Sequence, residues 1–141
     1  MKSFFYCLFV LFFVTSVNSA DLQIEMLNKR DDGARMVYSQ EIAKIDVGKT
    51  IEWLAKDKGH NVEMIAGPDG ADLPKKSKLS KNFSMKFDAP GIYLYKCTPH
   101  VGLGMIGIVV VGGDSSNKES IAKAKLSGKS KKKRNKLLEG I

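Results

Sequence analysis

Cysteine and histidine are scarce in this 141-residue chain, which holds two of each. Two cysteines exclude a disulfide-dense scaffold and a cysteine-rich zinc module. Two histidines exclude any metal site that needs three imidazoles. No apolar run reaches the roughly 20 residues required to span a membrane. The length leaves room for one domain with a short appendage and not for two full cores. A multidomain enzyme with its own nucleotide-binding fold is not expected at this length. What is present suffices for a folded body: 43% hydrophobic and 27% charged residues argue against wholesale disorder.

The first residues read as an export signal. Lys2 supplies a minimal positive start, Phe4 to Val14 is an unbroken apolar run, and Thr15 to Ala20 follow with small and polar side chains. Such a run fits a secretory h-region of about 7–15 residues. Cleavage is expected after Ser19, with Ala20 as the alternative, giving a signal peptide over 1–19 and an exported protein. Removal takes Cys7 away and leaves Cys97 as the single cysteine. A lone thiol in an oxidising compartment is a liability unless something binds it.

Charge divides the remainder. Residues 21–113 carry 13 basic and 12 acidic side chains, whereas residues 114–141 carry 9 and 3. The basic excess therefore lies in the tail, densest at Lys131, Lys132, Lys133 and Arg134, and reads as a solvated helical face. Ser116 with Glu119 resembles a capping box. Ile121, Ala122, Ala124 and Leu126 follow at partly helical spacing, Ser127-Gly128 breaks the pattern, and a second short helix is expected from about Lys131 to Leu138.

The body reads as strands. Leu22–Leu27, Ile51–Trp53, Phe83–Phe87 and Ile92–Tyr95 show period-2 patterning, and Ile106–Val111 is a β-branched run interrupted by Gly107. Met36–Tyr38, Ile42–Val47 and Val62–Ile65 are weaker candidates. Turn signals at Asp31-Asp32-Gly33, Val47-Gly48-Lys49, Gly67-Pro68-Asp69-Gly70 and Ala89-Pro90-Gly91 separate them. Short strands at this spacing argue an antiparallel sandwich or barrel.

The chemistry concentrates in Cys97-Thr98-Pro99-His100-Val101-Gly102-Leu103-Gly104-Met105, between two predicted strands. One loop presents a thiol, an imidazole and a thioether. The other histidine, His60, opens a separate strand. Two His, one Cys and one Met make the ligand set of a blue-copper centre, a trigonal His₂Cys plane with a weak axial Met. Copper(I) prefers soft sulfur and copper(II) prefers nitrogen, so a site held between both preferences suits electron transfer. All four positions are filled by protein, which disfavours substrate chemistry. Structural zinc is a weaker reading because thioether is a poor zinc ligand. A Cys–His nucleophile lacks a nearby carboxylate to orient His100.

With these residues the chain resembles the pseudoazurins, small blue copper proteins of the cupredoxin class. The resemblance spans the mature chain and rests on Met26-Leu27-Asn28-Lys29, Asp57-Lys58-Gly59-His60-Asn61-Val62, Ala89-Pro90-Gly91, Lys96-Cys97-Thr98-Pro99-His100 and Gly104-Met105. The Cys-x₂-His-x₄-Met spacing is shared with plastocyanins; the two-helix tail favours pseudoazurins. The resemblance implies an all-β, eight-stranded Greek-key β-sandwich with two short C-terminal α-helices. It divides the chain into a copper-binding domain over 20–113 and a Lys-rich helical extension over 114–141. It implies one copper ion, Cu+ or Cu2+, held by His60, Cys97, His100 and Met105, with Asn61 linking the two ligand loops and its backbone N–H on the Cys97 sulfur.

The implied function is periplasmic one-electron transport, not catalysis. Expected partners are transient redox proteins with acidic docking surfaces, a nitrite reductase-like acceptor and a cytochrome-like donor. The alternative is a periplasmic copper-binding or delivery protein. Nucleic acid is not an expected partner, no membrane span is expected after signal cleavage, and the chain is expected to be a monomer. Pro99, Val101 and Leu103 are expected to form an apolar docking patch around His100, with Lys29, Lys58, Lys76, Lys78 and Lys96 around it. The basic tail helices are expected to pack away from the copper.

Overall fold

The computed structural model describes residues 19–141. The expected signal peptide, Cys7 included, lies outside the described residues apart from Ser19. Every segment with period-2 patterning is a strand, the weaker candidates included: β1 Leu22–Lys29, β2 Arg35–Tyr38, β3 Ile42–Ile45, β4 Lys49–Leu54, β5 Glu63–Ala66, β6 Phe83–Phe87, β7 Gly91–Lys96 and β8 Ile106–Val111. They form two four-stranded sheets, ordered β2-β1-β4-β6 and β3-β8-β7-β5. The eight-stranded sandwich is therefore present. Its pairing is mixed, not purely antiparallel, because β1 runs parallel to β4 and β3 parallel to β8. Neither pair is consecutive in the chain, so no hairpin turn forces opposite directions.

Alternation explains the main core. Ile24 and Met26 of β1, Ile51 and Trp53 of β4 and Met85 and Phe87 of β6 face inward and meet Tyr93, Tyr95, Val109 and Val111 of the opposite sheet. Trp53 packs edge-on against Tyr95 with ring centroids 5.2 Å apart, and Tyr38 does so at 4.8 Å. Cys97 and Met105 belong to this same buried cluster.

The second sheet is buried on its outer face too. Ile92, Leu94, Ile106, Ile108 and Val110 are covered by Ile121, Leu137 and Leu138 of two helices, α1 Lys118–Lys123 and α2 Gly128–Glu139. Double burial is the reason Ile106–Val111 is apolar without alternation. Covering this face contributes about 1.5–3 kcal/mol per fully buried aliphatic side chain. The residues after 113 are thus part of the packed body.

The helix starts differ from expectation. Asn117, not Ser116, precedes α1. The Ser116 N–H turns back to Asp114 Oδ1 at 2.7 Å. The Asn117 side chain instead accepts from the Ile92 N–H and donates to the Ile92 carbonyl, both at 2.9 Å. It supplies the bonds a neighbouring strand would give, because β5 ends opposite Leu94. The first helix ends already at Lys123, ahead of the expected break at Ser127-Gly128, and Gly128 instead opens the second, which begins earlier than Lys131.

Gly107 interrupts the β-branched run because Tyr95 lies opposite it in the β7–β8 register. A Cβ there would fall 2.4 Å from the Tyr95 hydroxyl oxygen and 2.5 Å from the ring carbon bearing it. Gly107→Ala is accordingly expected to overpack the core and cost about 1–3 kcal/mol, read as a lower urea midpoint with an unchanged slope. An unaltered midpoint would contradict the packing described.

Candidate metal centre

The loop between β7 and β8 is not an open loop. Thr98–Leu103 form a 3-10 helix with Pro99 in its first turn. Its backbone bonds close on themselves: His100 N–H to the Cys97 carbonyl at 3.2 Å, Gly104 N–H to the Val101 carbonyl at 3.0 Å, and Met105 N–H to the His100 carbonyl at 3.2 Å. Gly104 has φ +93°, the left-handed conformation that glycine adopts without penalty and that ends the turn. The Cys97 N–H donates to the Met105 carbonyl at 2.9 Å. The two sulfur-bearing residues are therefore paired at the open end of the β7–β8 ladder, and both are fully buried.

His60 arrives from the other sheet connection, between β4 and β5. Gly59 before it has φ +86°, and the segment around Ser77 and Ser80 stitches it in place. Gly59 N–H donates to Ser80 Oγ at 2.9 Å. Ser80 N–H donates to the His60 carbonyl at 2.9 Å. Val62 N–H donates to Ser77 Oγ at 2.9 Å.

These elements bring together the three strongest donors that the sequence singled out. Cys97 Sγ lies 3.7 Å from His60 Nδ1 and 3.4 Å from His100 Nδ1, and the two Nδ1 atoms are 3.1 Å apart. A point equidistant from the corners of such a triangle lies about 2.0 Å from each, the length of a metal–imidazole bond and slightly short of a metal–thiolate bond. Met105 joins the cluster through its backbone and its shared burial with Cys97. Two imidazole nitrogens, one sulfur of a thiol and a neighbouring thioether fit copper on the chemistry of the donors.

The surroundings prepare these atoms. His60 Nε2 lies 2.9 Å from Asn28 Oδ1. A carboxamide oxygen only accepts, so Nε2 carries the proton and Nδ1 presents its lone pair to the centre. Asn28 is set in turn by its N–H to Asp57 Oδ2 at 2.6 Å. Asn61 links the two loops as expected. Its Oδ1 accepts from the Thr98 N–H at 2.8 Å, and its Nδ2 donates to Thr98 Oγ1 at 3.0 Å. Thr98 Oγ1 donates to Glu63 Oε2 at 2.7 Å, and Lys96 Nζ lies 3.5 Å from the same carboxylate oxygen. The Tyr38 hydroxyl donates to the Asn61 carbonyl at 2.9 Å.

Burial pushes the Cys97 thiol up, and the Asn61 and His100 backbone N–H groups oppose that rise. The Asn61 contact to sulfur is the one anticipated. Burial lowers His60, and the nearby His100 lowers it further, so the buried ring is kept neutral and available as a donor.

Asn28, Glu63, Ser77 and Ser80 were assigned no role from the sequence. Asn28 lies inside a motif quoted for the family, but a short polar residue at a strand end carries no mark of a partner over thirty positions away.

Comparison with known proteins agrees with this geometry. The profile of copper-binding proteins of the plastocyanin/azurin family matches residues 24–112. The pseudoazurin of Methylorubrum extorquens is 40% identical over 102 residues, covering 71% of this chain and 68% of its own. That of Paracoccus pantotrophus is 36% identical over 117 residues, covering 82% and 79%. The chain belongs to the pseudoazurins. A solved pseudoazurin from Sinorhizobium meliloti superimposes with a TM-score of 0.78 at 39% identity, covering 83% of this chain and 92% of that one. Membership makes the chain a cupredoxin that binds one copper ion and carries electrons.

Two measurements test the site. Asn28→Leu removes the acceptor that orients His60 and is expected to weaken copper affinity roughly 10–100-fold, read by competition with a chelator; equal affinity would refute the role given to Asn28. Because the folded state lowers His60, the unfolded chain binds more protons as pH falls through about 6.5. The copper-free protein should therefore be less stable at pH 5.5 than at 7.5, and a flat urea midpoint across that window would contradict it.

Proposed function

We propose that this chain is a periplasmic one-electron carrier whose type 1 copper is held by His60, Cys97, His100 and Met105. The observation that carries the reading is the triangle formed by Cys97 Sγ and the two Nδ1 atoms. When bound there, copper supplies a single electron by cycling between +1 and +2. The protein's part is to hold its donors still, through Asn28 on one ring and the Asn61–Thr98 link between the loops, so that little moves as the charge changes. Residues 1–19 are proposed as the cleaved leader, 20–113 as the copper domain and 114–141 as its helical extension.

His60, Cys97 and Met105 are fully buried, whereas His100 is half-buried. The His100 edge is the route by which an electron leaves. The apolar surface beside it differs from the sequence expectation. Pro99 is exposed and Leu103 is 56% exposed, but Val101 packs toward the helices instead. Leu79, 54% exposed, takes its place, sharing a groove with Pro99, Lys76 and Lys78. Lys96 is a poor member of a charged ring because Glu63 pairs with it. Lys29 and Lys58 are exposed beside Asn28 and Asp57, whose hydrogen bond joins their segments.

This surface supports docking to acidic redox partners, a copper nitrite reductase-like acceptor and a cytochrome-like donor, by a monomer that binds and leaves quickly. Steering by such lysines raises on-rates by about 10–10³-fold and weakens with salt. Stopped-flow reduction of an acidic partner should slow as salt rises, and Lys29→Glu or Lys58→Glu should slow it further at low salt. Rates indifferent to both would move the docking face elsewhere.

The ligand assignment has its own test. The copper(II) protein should be intensely coloured by its thiolate bond, Cys97→Ser should bleach it, and Met105→Leu should keep copper and colour with a raised potential. Persistent colour without the Cys97 thiol, or loss of all copper without the Met105 thioether, would refute the assignment.

A further inference from the structure

The two histidines of the centre are held in different ways. Asn28 clamps the His60 ring. Among the described residues, the hydrogen-bond contacts of the His100 ring run only to Cys97 Sγ and His60 Nδ1, within the centre itself. Its orientation therefore rests on the backbone of the 3-10 turn that carries it.

That turn is not free-standing. The Val101 carbonyl, next to His100 in the chain, accepts the Gly104 N–H at 3.0 Å and also the Ser130 hydroxyl of α2. Ser130 is 1% exposed. A serine within a helix ordinarily faces solvent or bonds back to its own preceding turn; this one reaches another element. The turn and helix also meet at Gly104, where a Cβ would lie 3.7 Å from Lys133 Cδ and 3.8 Å from Lys129 Cβ. The expectation that the tail helices pack away from the copper is thus overturned for α2.

The helix has anchors of its own. Leu137 and Leu138 are buried in the cluster on the outer sheet face. Lys133 pairs with Glu41. Arg134, 3% exposed, donates to the Ala124 carbonyl at 2.6 Å. A helix fixed from three sides can serve as a wall against which the turn is set.

We infer that α2 braces the metal loop and that Ser130 is a positioning residue for His100, acting through the Val101 carbonyl. Its effect on electron transfer rests on the copper reading above; the brace itself does not.

The test is amide hydrogen exchange on the copper-free full chain, paired with voltammetry of the copper-loaded one. Ser130→Ala should speed exchange of the Gly104 and Met105 amides by about 3- to 10-fold, the loss of one net hydrogen bond. Ser130→Thr, which keeps the hydroxyl, should restore protection, and Lys132→Ala on the exposed side of α2 should change nothing. In the loaded protein, Ser130→Ala should retain colour while its potential rises, because a looser His100 favours copper(I). Unchanged exchange would overturn the brace, and an unchanged potential despite faster exchange would overturn the positioning role. If Ser130→Ala fails to fold, the unmodified protein still decides. In mild urea the Gly104 and Met105 amides should lose protection in step with those of Leu137 and Leu138, and independent opening would overturn the proposal. A colourless copper(II) protein would instead refute the function proposed above, whatever the amides show.

Discussion

Two hydrogen bonds between Asn61 and Thr98 join the loop that carries His60 to the loop that carries Cys97 and His100. Three metal donors must sit within a few ångströms of one another. A lone pair beside a lone pair is not an attraction, so the loops would drift apart unless something else held them. The amide of Asn61, itself 3% exposed, does so with both of its polar atoms, away from most competing water. Bonds of this kind contribute about 1 kcal/mol each in net terms, which is modest for stability. Their importance lies in geometry, since both are directional and together fix a register between two otherwise separate segments.

The sandwich supplies the rest of that rigidity. One sheet is packed on its inner face, and the other is packed on both. The ligand-bearing strands β7 and β8 belong to the doubly covered sheet, and their ends deliver Cys97 and Met105 as partners across the ladder. The sites of greatest burial and of metal chemistry therefore coincide. The metal end of the sandwich presents one half-buried imidazole beside exposed apolar and basic side chains, while the remaining donors stay inside.

Much of this was legible in the sequence, and the reasons are local. Alternation at Leu22–Leu27 and Phe83–Phe87 marks strands with one wet face, and the turn residues mark their ends. The donor set was legible because scarcity made it so: with two histidines and one remaining cysteine, each had few other tasks available. What stayed hidden depends on contacts between distant segments. Nothing in Ile42–Val47 announces that it joins β8 in parallel, since pairing direction follows from the path of the whole chain. The roles of Asn28 and Ser130 were illegible for the same reason. Both are common polar residues whose meaning comes from an acceptor or donor about 30 positions away. The capping pattern at Ser116 misled because its N–H turns back to Asp114 and the helix starts one residue later, after Asn117, whose side chain is taken up by the sheet.

That use of Asn117 reaches beyond the helix it precedes. Below the last residue paired with β5, strand β7 would show a bare N–H and C=O at Ile92, next to apolar side chains. Such an edge is a template on which another chain can add a strand and begin to aggregate. One carboxamide occupies both groups at once. An electron carrier has to meet many partners and part from each of them. Closing this edge with a side chain denies a foothold to a second copy along that flank.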